Sequence, residues 1–212
     1  MKKIFLIVLI IGSTLAANAQ RNTGAAGAYE GPKYIIKTNP LPMLGGQIPL
    51  TNEYRLVFEM KTGPKQALQL YGAYMGKSPF LSLVERYSYE LDEDLRLGVS
   101  GFRAQAMYKF YLLNSKEAPE GLYIGPNISF ATAKLRNKNY TPDYVNAYYT
   151  SGSVIGGYQL IAGHFAFDVF AGVGLKRNVY KVNLQDASDF PINRLGWWGP
   201  KFTFGFNLGY AW

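Results

Sequence analysis

The chain has no cysteine among its 212 residues. Disulfides, thiol nucleophiles and cysteine-bound metals are thereby excluded. It has one histidine, His164, so any imidazole chemistry must pass through that residue. Past the N-terminus it lacks an apolar run of about 20 residues, the length a membrane-spanning helix needs. A chain without such a helix can cross a bilayer only as a closed β-barrel, which pairs every backbone group internally. Stretches with the pattern of an amphipathic helix are few. What the sequence has in quantity is 17 tyrosines, 13 phenylalanines and 23 glycines.

The chain opens with Lys2 and Lys3, an apolar run from Ile4 to Ile11, and Ala17-Asn18-Ala19. A charged start, a short apolar stretch and small residues at a cleavage point predict a secretory signal peptide over residues 1–19. The apolar run is too short to serve as a membrane anchor. No cysteine follows it, so a lipoprotein anchor is not expected. Residues 20–32, rich in glycine and alanine and without periodicity, predict a flexible lead-in. The net charge is +8, and losing Lys2 and Lys3 leaves the exported chain basic. Anionic lipid headgroups or sugar phosphates are the expected partners of such a chain, and nucleic acid is not.

From residue 33 onward the pattern is alternation. It is clearest in Pro200–Trp212. Phe202, Phe204, Phe206, Leu208, Tyr210 and Trp212 share one parity; Lys201, Thr203, Gly205, Asn207, Gly209 and Ala211 share the other. That is a strand with one aromatic face and one small or polar face. Seven more strands are expected at about 33–41, 50–61, 66–75, 99–113, 122–135, 148–162 and 164–179. In the second, Tyr54, Leu56, Phe58 and Met60 alternate with Glu53, Arg55, Val57, Glu59 and Lys61. Pro40 and Pro42 end the first, because proline cannot donate to a ladder. Ser78–Leu97 breaks the rhythm and is expected to be an acidic surface loop, although Phe80, Leu83, Val84, Tyr87 and Leu91 would also share one helical face. Arg136–Ala147 and Tyr180–Gly199 are the other long loops expected. Short turns are expected at Thr62–Lys65, Asn114–Gly121 and Ala162–Gly163. The fold class predicted is all-β: an eight-stranded antiparallel up-and-down barrel over residues 33–212, with a polar interior and an apolar exterior. A soluble barrel of the lipocalin kind would show the reverse facing.

A signal peptide, eight alternating strands and a terminal aromatic resemble the small outer-membrane β-barrels of the OmpA/OmpX type. The resemblance covers about Lys33 to Trp212. It implies a monomer in the cell outer membrane, in contact with membrane lipid and lipopolysaccharide. It also implies that Phe206, Leu208, Tyr210 and Trp212 form the signal that the barrel-assembly machinery reads. It names no activity, because such barrels include adhesins, structural anchors, narrow pores and lipid-modifying enzymes.

The candidate residues follow from facing. Lys37, Arg55, Glu59, Arg103, Lys109 and Asp168 are expected to form a polar network in the lumen, with Glu53, Lys61, Lys176 and Lys201 on the same parity. An eight-stranded lumen is only wide enough for side chains, so this set is expected to be structural; a proton or ion path is the rival reading. A lipid A deacylase would need a Ser–His–acid arrangement, and no serine lies within two residues of His164. No catalytic residue, cofactor or metal site is therefore expected, and the role is expected to be structural or interactive. Glu90, Asp92 and Asp94 would suit calcium, but the spacing lacks the glycine and terminal glutamate of a calcium loop. Arg136, Lys138, Arg177, Lys181 and Arg194 are placed in outer loops or at strand ends, either as contacts for lipopolysaccharide phosphates or as a generic charged rim. Tyrosines at strand ends, Tyr149 among them, are expected at the two interfaces of the membrane. Trp197-Trp198, expected in the last long loop, is the candidate sugar platform.

Overall fold

A computed structural model describes residues 32–44, 51–90, 97–113, 117–137, 144–183 and 194–212. The expected signal peptide, the lead-in up to residue 31, the Gly45-Gly46 loop, Asp92, Asp94 and Lys138 lie outside them. Among the described residues there are eight strands: β1 Tyr34–Thr38, β2 Thr51–Gly63, β3 Gln66–Lys77, β4 Leu97–Tyr111, β5 Gly121–Asn137, β6 Tyr144–Ala162, β7 Phe165–Asn183 and β8 Arg194–Ala211. Two helices accompany them, α1 Leu41–Leu44 and α2 Pro79–Glu90. Each strand pairs antiparallel with its neighbours in sequence. β1 also pairs antiparallel with β8, so the meander closes into a ring.

The two-residue period decides which side of the wall each side chain occupies. In β2, Tyr54 and Leu56 are exposed while Arg55, Val57 and Glu59 are buried. In β8, Phe202 and Phe204 are exposed while Lys201, Thr203 and Asn207 are buried. Rings and branched aliphatics cover the outside; charges, amides and small residues fill the inside. Ala118 packs into the interior with Met107, Tyr111, Tyr123 and Ile155. Its amide donates to the Pro64 carbonyl at 2.7 Å, which folds the β4–β5 turn over that end of the ring. At the β6–β7 turn Gly163 takes a φ of +61°, a left-handed conformation that only glycine adopts without strain.

The closing seam is short. β1 has 5 residues against 19 in β6. Ile35 faces Ala211 and Lys37 faces Gly209 across it. Beyond the strand, the Lys33 and Tyr34 amides both donate to the Trp212 carbonyl, at 2.9 and 3.0 Å. On the outside, Tyr34 sits 5.9 Å from the Phe58 ring and 6.1 Å from the Trp212 ring.

Several expectations need correction. The Ser78–Leu97 stretch is not a plain loop, because it contains α2. Ser78 caps the helix, its Oγ accepting the Leu81 amide at 3.1 Å, and Pro79 supplies a preset first-turn φ. Leu81 is the buried side chain, 1% exposed, whereas Leu83 and Tyr87 of the alternative stripe are 64% and 67% exposed. Next, β1 stops at Thr38, and Asn39 Oδ1 accepts the Leu41 amide at 3.1 Å to start α1. The strands β5 to β8 run further than expected, which puts Arg136, Lys181 and Arg194 at strand ends rather than in loops, while Arg177 lies in β7, inside the strand already expected. Finally, Trp197-Trp198 lies inside β8 and cannot form one platform, since consecutive strand residues point to opposite faces. Trp197 stacks on Tyr180 at 5.3 Å, and Tyr180 meets Tyr149 on the interior parity. Tyr149 is therefore not an interface anchor on the outside; it packs against Met75, Ala131 and Ala133 inside the ring.

Candidate functional site: the polar interior

Four of the six residues expected in the lumen meet at one point. Lys37 comes from β1, Glu59 from β2, Lys109 from β4 and Asp168 from β7. Lys37 Nζ lies 2.5 Å from Glu59 Oε2 and 2.9 Å from Asp168 Oδ2. Lys109 Nζ lies 2.8 and 3.1 Å from the same two oxygens. The side chains of all four are fully buried. Two cations and two carboxylates leave the group neutral, which is the condition for holding charge away from water.

Neutral partners complete the coordination. Tyr111 donates to Glu59 Oε1 at 2.8 Å, and Tyr123 donates to Asp168 Oδ1 at 2.6 Å. Asn207 Nδ2 donates to Asp168 Oδ2 at 3.1 Å. Gln159 Oε1 accepts from both ammonium groups, at 2.6 and 2.9 Å, while its amide donates to the Pro119 carbonyl at 2.6 Å. The Lys109 ammonium also sits 4.0 Å above the centre of the Tyr123 ring. Two glycines make the room. A Cβ at Gly209 would lie 2.6 Å from Lys37 Cγ, and one at Gly157 would lie 2.5 Å from the Tyr123 hydroxyl.

Arg55 and Arg103, the other two residues expected here, are held elsewhere. Both bind Glu53: Arg55 Nη2 at 2.7 Å to Oε2, and Arg103 Nη2 at 3.0 Å to Oε1. The Arg55 guanidinium lies 5.2 Å from the centre of the Tyr71 ring. A cavity of about 20 Å³, lined by Arg55, Gln69, Tyr123, Thr203 and Asn207 among others, separates this group from the quartet. It has room for about one water. Lys201 donates to Ser151 Oγ at 2.8 Å. Lys61 pairs with Glu117 at 2.9 Å, at the turn end. Nearby, Lys65 donates to the Leu113 carbonyl, and burial lowers its pKa from the ordinary lysine value against the attraction of Glu117.

Tyr111, Tyr123 and Asn207 share the inward parity, a signal present in the sequence. Gln159 and Gln69, whose Oε1 accepts from Lys37 Nζ at 3.3 Å, carry the same signal, between outward Tyr158 and Leu160 and between Leu68 and Leu70. Nothing in the sequence marks them as ligands of the quartet.

His164 sits in the β6–β7 turn. Its Nδ1 is 2.9 Å from the Ala211 carbonyl, so that nitrogen carries the proton, and its ring stacks on Tyr210 at 5.0 Å. This ties the turn to the last strand. Of the four outward residues ending β8, Tyr210 and Trp212 are exposed and Phe206 and Leu208 half-buried. Among the described residues no group of three or more His, Asp or Glu side chains is placed to hold a metal ion. The Glu90 side chain lies outside what the structure describes. No known family model matches the chain, and no curated protein is similar enough to it to count as a relative.

Proposed function

We propose that the chain is an integral outer-membrane β-barrel of the small OmpA/OmpX-like kind. It acts as a monomer with a structural, surface-interaction or envelope role and carries out no enzymatic reaction. The observation behind this is the inversion of the two faces. Phe204 is 79% exposed, while Glu59 and Asp168 are fully buried. An exposed belt of rings and aliphatics is an aggregation hazard in water but at home in hydrocarbon. A soluble lipocalin-like barrel requires the opposite arrangement.

The same reading explains the parts. The lumen network is scaffolding: it ties β1, β2, β4 and β7 across the interior with four fully buried charged side chains, which favours scaffold over narrow pore. Membrane lipid and lipopolysaccharide contact the outer belt, and nucleic acid is not a partner. Phe206, Leu208, Tyr210 and Trp212 serve as the assembly signal, in a strand that also closes the ring. A lipid A-modifying role has weak support, since His164 is engaged with a backbone carbonyl and a ring.

The test is fractionation of expressing cells, with electrophoresis of heated and unheated membrane samples. The expected result is a heat-modifiable band in the outer-membrane fraction. A soluble periplasmic protein that does not shift on heating would overturn the reading.

A further inference from the structure

Strands β5 to β8 contain one acidic residue, Asp168, and it is buried inside. Their described outward cations, Lys134, Arg136, Arg177 and Lys181, lie toward the end of the ring away from the chain termini. The register puts them side by side: Lys134 is opposite Asn146, Asn146 is opposite Lys181, and Lys181 is opposite Arg194. At about 5 Å per strand, Lys134 and Lys181 start about 10 Å apart. Arg136 lies two residues further along β5, opposite Tyr144. Arg177 lies four residues back along β7, opposite Trp198.

Three of these side chains rest on rings. The Lys134 ammonium is 4.0 Å from the Tyr144 ring centre, Lys181 is 5.4 Å from Tyr148, and the Arg177 guanidinium is 6.0 Å from Trp198. Among the described residues, Lys134, Arg136, Arg177 and Lys181 form no ion pair. A ring under a cation orients it and leaves N–H donors free for an anion.

Toward the termini, the outward row becomes apolar, with Ile128, Gly152, Leu175 and Pro200 in register. Beside it an apolar groove of about 800 Å³ crosses the outer face from β2 to β6. Gly72, Ala104 and Ala106 floor it, and Leu56 and Phe130 stand at its sides. Phe130 and Lys134 are outward residues of the same strand, four apart. Positive charge therefore sits at the head of an apolar furrow, the complement of a lipid with an anionic head and an acyl tail.

We propose that this face binds a membrane lipid bearing a phosphomonoester headgroup. The phosphate engages Lys134, Arg136 and Lys181, with Arg177 at the edge, and an acyl chain lies in the groove over Gly72 and Ala104. This rests on the membrane reading above.

The test uses the full chain refolded in neutral maltoside micelles. Binding of short-chain phosphatidic acid, of the matching diacylglycerol and of glycerol phosphate is followed by native mass spectrometry. Heat-modifiability is recorded on the same samples. Phosphatidic acid should bind, and raised salt should weaken it. Diacylglycerol and glycerol phosphate should each bind far more weakly. The variant K134Q/R136Q/R177Q/K181Q should lose affinity by roughly a hundredfold. K134R/K181R keeps the charge and should bind as the parent does, which holds the test open if the neutral variant misfolds. G72L should also weaken binding, because a Cβ at Gly72 meets nothing within 4 Å and the added side chain fills only the furrow. Equal binding of phosphatidic acid and diacylglycerol, equal binding of glycerol phosphate, or an unchanged affinity in the neutral variant would each overturn the proposal. Unchanged binding in G72L would remove the groove from it. A chain that stays soluble without detergent and shows no heat-modifiable form would overturn the membrane reading itself; one that folds in micelles but ignores the phosphate would overturn only the lipid site.

Discussion

Lys109 and Lys181 carry the same ammonium group on the same kind of strand, and the molecule treats them in opposite ways. Lys109 is fully buried, touches Glu59 and Asp168, and sits over Tyr123. Lys181 is exposed and rests on the Tyr148 ring with no ion pair among the described residues. The interior removes water, so a charge there is tolerable only beside its opposite. Outside, a ring is enough to orient the side chain. Cations are thus held by carboxylates on one side of the wall and lie over rings, open to an anion, on the other.

The most drastic way to break this comparison is to remove the inside altogether. Deleting Tyr210–Trp212 takes away the β8 side of the β1 ladder, including the Trp212 carbonyl that binds two amides. Open strand edges cannot sit in hydrocarbon. The truncated chain is expected to be exported, to show no heat-modifiable form and to be degraded; normal amounts in the outer membrane would contradict this.

Next in size is Lys109→Gln. It leaves two buried carboxylates facing one ammonium, and should cost about 3–5 kcal/mol, read as a lower urea midpoint in detergent. Combining Lys109→Met with Glu59→Gln removes one charge of each sign and should recover part of that loss. If Lys109→Gln unfolds like the parent, the quartet is solvated and the contrast with Lys181 disappears.

Phe204→Arg probes the outer belt. It should destabilise by about 2–4 kcal/mol in lipid vesicles if Phe204 lies near the bilayer midplane. A stabilised or unchanged protein in vesicles would mean that this face meets water. The smallest effect sharpens the comparison most: Lys181→Gln should change stability by no more than about 0.5 kcal/mol while reducing phosphatidic acid binding.

Much of the fold was legible because alternation is local. Val57 and Glu59 are buried, and Leu56 exposed, by parity alone, and an even strand count requires β1 and β8 to run antiparallel. The helix α2 was less legible. Its start, Ser78-Pro79, is an ordinary capping signal, but the apolar stripe drew attention to Leu83 and Tyr87, which face outward. The strands β5 to β8 reach further than alternation alone suggests, because polar residues such as Lys181 and Arg194 mimic a loop.

By itself the sequence determined the strand number, the alternation of facing along the strands and the charged residues of the quartet that must be buried. Pleat and hydrophobicity act over two or three neighbours, so they need no knowledge of the rest of the chain. Only the tertiary structure decided who meets whom. Lys37 reaches Glu59 across 22 positions and Asp168 across 131, and Lys134 is aligned with Lys181 through Asn146 on the strand between them. Those meetings depend on the stagger between strands and on the width of the closed ring, and both are set by the cumulative register of all eight strands.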